Sequence, residues 1–353
     1  LAYSITGRNP VFGDKHFSSF SMGWNVPVDV SRVRVSAPAG RKLYTRAFNS
    51  DLKPQVQKVK GRVEYRWSQT DAPPVFAEDD APVWYQPFPA VQISEYRRWR
   101  DVAAWADALY AHGSPLPQAL QAKLRQWRSE TTDKKILAAR ALKLVQDEIR
   151  YFGIELGQNS HRPSLPGEVY RRRYGDCKDK TTLLVAMLDE LGIKAWPALV
   201  STDYQRDIDN WLPSPGLFDH VVVMTEVDGK RYWMDGTRTY QDGSIDTLSV
   251  PDFERALIVR KGENRLTAIE VPETVASSID IEEDFVVSDY QGAVRLEVKT
   301  TYQGSIAEAM RQYFATNTPR EIRRAYLNYY AKLYPAISTD GPVKSQDDKE
   351  ANR

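Results

Sequence analysis

Residues 171–202 read RRRYGDCKDKTTLLVAMLDELGIKAWPALVST, and this stretch decides the fold. Leu183, Leu184, Met187, Leu188 and Leu191 recur at helical spacing and make one apolar face, and Gly192 ends the run. The helix begins at Cys177, the only cysteine among 353 residues. Amides at a helix start have no partner within the helix, and the macrodipole is positive there. Both favour a thiolate, and Lys178 and Lys180 add positive charge. A free cysteine is ordinarily a small buried hydrophobe, so its position becomes chemistry only in company.

The company lies downstream. The helix is followed by the strand-like runs AWPALVS (195–201), DHVVVMTEV (219–227) and KRYWMDGT (230–237). Val227-Asp228-Gly229-Lys230 reads as a hairpin with Asp-Gly at its tip. Counting back from that turn sets Val222 opposite Asp235 and His220 opposite Thr237. Residues two apart on a strand share a face, so His220 and Asp235 become diagonal neighbours about 7–8 Å apart by backbone. A carboxylate at that distance can take an imidazole N–H, fix its tautomer and stabilise the imidazolium. "DGT" also reads as a strand-end turn. The order cysteine, histidine, aspartate and the absence of a nucleophile elbow separate the set from serine hydrolases.

Outward from this centre the chain changes character. Residues 1–93 are mostly β-patterned: VRVSAP, KLYTRAF and QVQKVKGRVEYRWSQ, with Val63, Tyr65 and Trp67 alternating with Arg62, Glu64 and Arg66. A β-sandwich is expected. DAPPVFAEDDAPVWYQPFPAVQI (71–93) is rich in proline and acid and reads as an extended crossing between domains. Helices are expected around Val102–Leu109 with Gly113 as stop, from Pro117 to about Trp127, and from Asp133 to Tyr151. Residues 271–303 return to β-pattern, as in VRLEVKT, and 305–334 read as helix interrupted near Pro319. The tail KSQDDKEANR reads as frayed or cut. The division is thus 1–93 β-rich, its start read as truncated, 94–270 mixed, and 271–353 β-rich with helix.

Composition limits the function classes. Lys plus Arg number 48 against 47 Asp plus Glu, so no net field steers the chain toward nucleic acid. No apolar run reaches the ~18 residues of a membrane span. His16, His112 and His161 are scattered without cysteine partners, which argues against zinc. No phosphate-binding glycine loop is present, so no cofactor is expected. Gln158, Asn159 and Tyr174 flank the cysteine and read as loop hydrogen-bonders, with oxyanion donation as the alternative. RRRY (171–174) is a basic run that reads as a solvated edge.

The motif Gly175-Asp176-Cys177-Lys178-Asp179, followed by FDHVVV (218–223) and YWMDGT (232–237), resembles the transglutaminase-like superfamily in its bacterial branch. IRYFGIELGQNSHRP (149–163) is a recognisable upstream segment, and the likeness is strong over about 94–265. It implies an α+β, papain-like transglutaminase core, helices on an antiparallel sheet, flanked by β-sandwich-like domains. Residues 1–93 resemble the end of a β-rich domain of unknown function that commonly precedes such cores. The resemblance implies Cys177, His220 and Asp235 as a triad, a protein or peptide substrate, and a periplasmic or extracellular setting. Animal transglutaminases carry an aromatic residue directly after the cysteine; Lys178 stands there, which argues against protein cross-linking. The expected activity is cysteine-dependent acyl transfer on amides through a thioester, as peptidase, amidase or transglutaminase. The alternatives are a non-catalytic peptide- or protein-binding module on the same scaffold, or a structural component of the cell envelope.

Overall fold

Strand alternation and a tight turn build the first unit. The structure, a computed structural model, describes residues 9–111, 115–153, 156–270, 277–290 and 292–353. Strands β1 (Phe17–Ser21), β2 (Val28–Pro38), β3 (Tyr44–Phe48), β4 (Gln55–Val59), β5 (Arg62–Ala72) and β6 (Ala90–Ser94) form two three-stranded antiparallel sheets, ordered β1-β6-β3 and β2-β5-β4. The β4–β5 hairpin turns through Lys60 and Gly61, both left-handed at φ 47° and 77°, the turn whose twist matches its strands. Trp67 from one sheet meets Met22, Val91 and Ile93 from the other, and all four are buried. The expected crossing segment departs from its reading at its end. No strand forms over 73–89, but residues 90–94 return as the central strand of the first sheet. Val91 and Ile93 face the sandwich, while Gln92 and Ser94 face the next unit. Gln92 exchanges hydrogen bonds with the backbone of Leu212 at 3.1 and 2.8 Å, and Ser94 donates to Pro213 O at 2.7 Å. Buried polar groups demand such partners, so β6 is fixed on both sides.

The helices follow their apolar periodicity. They are α1 (Trp99–Tyr110), α2 (Gln118–Glu130), α3 (Lys134–Glu148), α4 (Pro166–Arg172) and α5 (Cys177–Glu190). Gly113, the expected stop of α1, lies outside the described residues. Pro117 precedes α2 as its N-cap rather than sitting in the first turn. Helix α3 is capped by the Asp133 carboxylate and stops short of Tyr151, because Ile149 is extended at φ −110°, ψ 105°. The chain then forms β7 (Arg150–Tyr151), paired in parallel with β8 (Tyr174–Gly175). Next to these helices lies an antiparallel sheet of β9 (Lys194–Val200), β10 (His220–Val227), β11 (Lys230–Met234), β12 (Arg255–Ile258) and β13 (Thr267–Ala268), ordered β11-β10-β9-β12-β13. Leu183, Leu184, Met187 and Leu188 of α5 are buried with Leu137, Ala141 and Val145 of α3 and Val223, Val227 and Met234 of the sheet. Removing one such leucine side chain costs about 2–5 kcal/mol, so this interface fixes where the start of α5 sits.

The last unit is a ribbon of β14 (Ser278–Val287) and β15 (Val294–Gln303), followed by α6 (Ser305–Thr316) and α7 (Pro319–Ala331). Among the described residues β14 and β15 pair only with each other, rather than forming a sandwich. Thr318 and Glu321 form a reciprocal capping box across the proline interruption. The tail is not frayed. Arg311 pairs with Asp347 at 2.7 Å, Gly304 N donates to Asn352 O at 3.0 Å, and Asn352 is buried. Among the described residues no helix is long and apolar enough to cross a membrane.

Candidate active site

Each polar residue of the motif fixes the start of α5. Asp176 is the N-cap: its Oδ1 accepts from the amides of Lys178 and Asp179 at 3.0 and 3.2 Å, and its Oδ2 accepts from Lys178 Nζ at 2.7 Å. The two amides the cap engages do not include that of Cys177, the first helical residue. Gly175 is required by close approach, since a Cβ there would fall 2.6 Å from Asp179 Cβ. The Asp179 carboxylate accepts from Ser164 N at 2.7 Å and pairs with the Arg172 guanidinium. Arg172 is therefore a latch on the cysteine helix, not part of a solvated edge. Lys180 is buried and donates to Ile149 O at 2.6 Å; burial pushes its ammonium down to about 8, against the pull of Asp235 and Asp147. Thr181 donates to Val221 O at 3.1 Å, which ties the helix to the strand that carries the histidine.

His220 opens β10 and pairs with Val200 of β9. The hairpin register runs from Val227↔Lys230 to Val223↔Met234. The ladder stops there, so Asp235 lies just past the end of β11, and Thr237 is in the turn instead of opposite His220. Thr237 donates its amide and hydroxyl to Asp235 Oδ1 at 2.8 and 2.7 Å. Asp235 is thus a turn residue that also reaches the histidine: its Oδ2 lies 2.9 Å from His220 Nε2. Cys177 lies close enough to the same imidazole that its interaction and charge help to raise the ring. The three residues singled out in the sequence meet at one point.

Electrostatics reinforce the geometry. Burial opposes a charged imidazole at His220. The hydrogen bonds to Asp235 and Cys177, and the charges of both, outweigh it and raise the group to about 10. Burial likewise opposes a charged Asp235, but the His220 hydrogen bond and charge and the two Thr237 donors hold its carboxyl below the ordinary value. Cys177 is 4% exposed and packs against Leu199, Val221 and Leu257.

Two residues at the site, Tyr110 and Gln146, carry no sequence signal. Burial, followed by the charges of Cys177, Asp176 and Asp179, keeps the phenol of Tyr110, at the end of α1, well above its ordinary value, so it stays an O–H. Behind Asp235, Gln146 of α3 donates to Asp235 O at 3.0 Å and to Gln241 Oε1 at 2.9 Å, and Gln241 donates to Glu308 Oε1 at 3.0 Å. Glu308 is buried and also accepts from Arg238 and Asn352 at 2.7 and 3.1 Å. Gln158 and Asn159 form a 3-10 turn, Gly157–Ser160. His161 donates its Nδ1–H to Ser160 Oγ at 2.9 Å, because that hydroxyl spends its own proton on Gly157 O. Burial, then the Lys178 charge, push His161 down to about 4, so its ring is neutral. His16 lies at the strand β1 entrance, its amide on Glu95, and His112 lies outside the described residues.

With the geometry in place, comparison locates the chain among known proteins. Residues 1–76 match a family model described as a domain of unknown function with solved structure, DUF3857, in agreement with the N-terminal domain expected from sequence. No curated protein matches the chain. A crystal structure of a candidate protease from Parabacteroides distasonis ATCC 8503 superposes with TM-score 0.57 at 16% identity, over 71% of this chain and 47% of that one. The chain therefore spans about half the length of that protein, and the likeness is one of fold. A candidate cysteine protease from Cytophaga hutchinsonii gives TM-score 0.29 at 10% identity, over 81% of this chain and 89% of that one. The periplasmic domain of TgpA from Pseudomonas aeruginosa, bound to ethylmercury, gives TM-score 0.26 at 13% identity, over 62% and 77%.

Proposed function

We propose that the chain carries a transglutaminase-like cysteine acyl-transfer site acting on amides of peptides or proteins. The observation that supports it best is the His220 ring 2.9 Å from the buried, doubly anchored Asp235 carboxylate, with Cys177 near enough to shift the same ring. In this reading the Cys177 sulfur, as thiolate, attacks the amide carbonyl. The Cys177 amide, left free by the cap, and a second donor receive the developing oxyanion. The His220 imidazolium gives its proton to the departing amine, and the C–N bond breaks to leave a thioester. Water or a second amine then attacks, with neutral His220 taking its proton, and the sulfur leaves. Asp235 fixes the ring and stabilises its cation throughout. The proposed setting is periplasmic or extracellular.

The test is alkylation of Cys177 by iodoacetamide at neutral pH. The wild-type chain is expected to react faster than an unstructured thiol, and His220→Ala to lose that advantage. Wild-type labelling at the unstructured rate, unchanged in His220→Ala, overturns the reading.

One observation favours a second reading, a binding module without turnover: the thiol is only 4% exposed and sits in an apolar cluster. Peptide binding that survives Cys177→Ala, together with inert wild-type labelling, identifies that case.

A further inference from the structure

Exposed apolar side chains lie on the two segments that meet just before the cysteine, and the reaction itself does not use them. Strand β7 runs beside β8, and Phe152 N donates to Gly175 O at 2.9 Å, two residues before the nucleophile. Ser164 N also meets Asp179, so Phe152 and Ser164 both lie at the start of the cysteine helix. On this bridge the rings of Phe152 and Tyr174 meet edge to face, centroids 5.6 Å apart and planes at 88°. Edge-to-face contact fixes both rings. The Arg172 guanidinium stacks over Tyr174 with 4.9 Å to the centroid, while its Nε holds Tyr174 O at 2.7 Å. The rings are therefore anchored, yet Phe152 is 53% and Tyr174 44% exposed, and Leu156 beyond them is 76% exposed.

Rigid aromatic rings open to solvent beside a nucleophile have the character of a recognition surface rather than of a core. Ordered rings lose little freedom on binding, so burying them yields affinity efficiently. We infer that Phe152 and Tyr174 form a specificity subsite that accepts a bulky apolar side chain of a peptide lying across Cys177. The inference deepens the proposed function: it names the substrate class as peptides with a large apolar or aromatic residue near the amide that reacts. The occupant is fixed by continuity, since the patch adjoins the two-residue lead into the nucleophile.

The test is calorimetric binding of N-acetyl pentapeptide amides, with Phe, Leu or Gly at the central residue, to the full chain carrying Cys177→Ala. The Phe and Leu peptides are expected to bind at least about tenfold tighter than the Gly peptide, the scale on which an apolar pocket discriminates. Phe152→Ala and Tyr174→Ala should each erase most of that preference, while Tyr174→Phe retains it. Equal binding of all three peptides, or a preference that both alanine variants leave intact, overturns the subsite. Binding is read here without the thiol, so failure of the subsite leaves the alkylation test standing, and inert alkylation leaves the subsite testable.

Discussion

The start of α5 and the inner face of the helix body that follows are both buried, for opposite reasons. From Leu183 to Leu188 the buried face is apolar and joins the core between α3 and the sheet. From Asp176 to Thr182 every residue is buried, and all but Cys177 are polar. Burial of polar groups is unfavourable unless each finds a partner, and here they do: the cap, the Arg172 latch, the Ile149 and Val221 carbonyls. The helix body supplies stability. The first turn is held by its partners' geometry and sets the direction of one sulfur atom.

Predictions can break that division. The largest effect is expected from Cys177→Ala, which should abolish thioester formation, read as loss of acyl-enzyme by mass spectrometry, with an unchanged thermal midpoint. A large fall in the midpoint instead would place Cys177 with the leucines as core. Next, Asp235→Asn should lower kcat/KM by about 10²- to 10⁴-fold, the range of general acid–base catalysis. Asp235 raises His220, so the variant's alkaline limb should move down from about 10 toward neutrality. The same linkage makes the His220 contribution to stability complete below its ordinary 6.5 and lost as pH rises through about 10. A pH–rate profile and urea melts at several pH values check both.

Smaller effects sharpen the contrast. Leu184→Ala should cost about 2–5 kcal/mol in urea unfolding, with alkylation per folded molecule unchanged. Asp176→Ala should cost only about 0.5–2 kcal/mol, the worth of a helix cap, yet slow Cys177 alkylation. If the cap variant leaves alkylation untouched, the first turn does not set the sulfur.

Much of this was legible in the sequence where the signal is local. The periodicity of Leu183 to Leu191 gives the helix, and Asp228-Gly229 gives the register that brings Asp235 near His220. Counting back from the hairpin sets Thr237 opposite His220, but a turn ends the ladder at Met234, and counting cannot see where pairing stops. The return of β6 into the N-terminal sheet, the Arg172 latch and the anchored tail have no local pattern. The strand and the tail depend on partners tens of residues or more than a hundred away, such as Gln92 on Leu212, and the Arg172 latch crosses from one helix to the next over seven residues with no periodicity to mark it. Gly175 carries a reason, the Asp179 side chain, that only the folded turn displays. The alternation of Val294, Leu296 and Val298 marks strand β15, but a pattern cannot say whether another layer covers it.

The buried Glu308 carboxylate has a mechanical consequence. Three hydrogen bonds, Glu308 to Gln241, Gln241 to Gln146 and Gln146 to the Asp235 carbonyl, join α6 to the residue that steers the imidazole. Helix α6 is therefore a handle on the Asp235–His220 pair: a tug that shifts it against the sheet must either break this chain of bonds or turn the Asp235 loop with it.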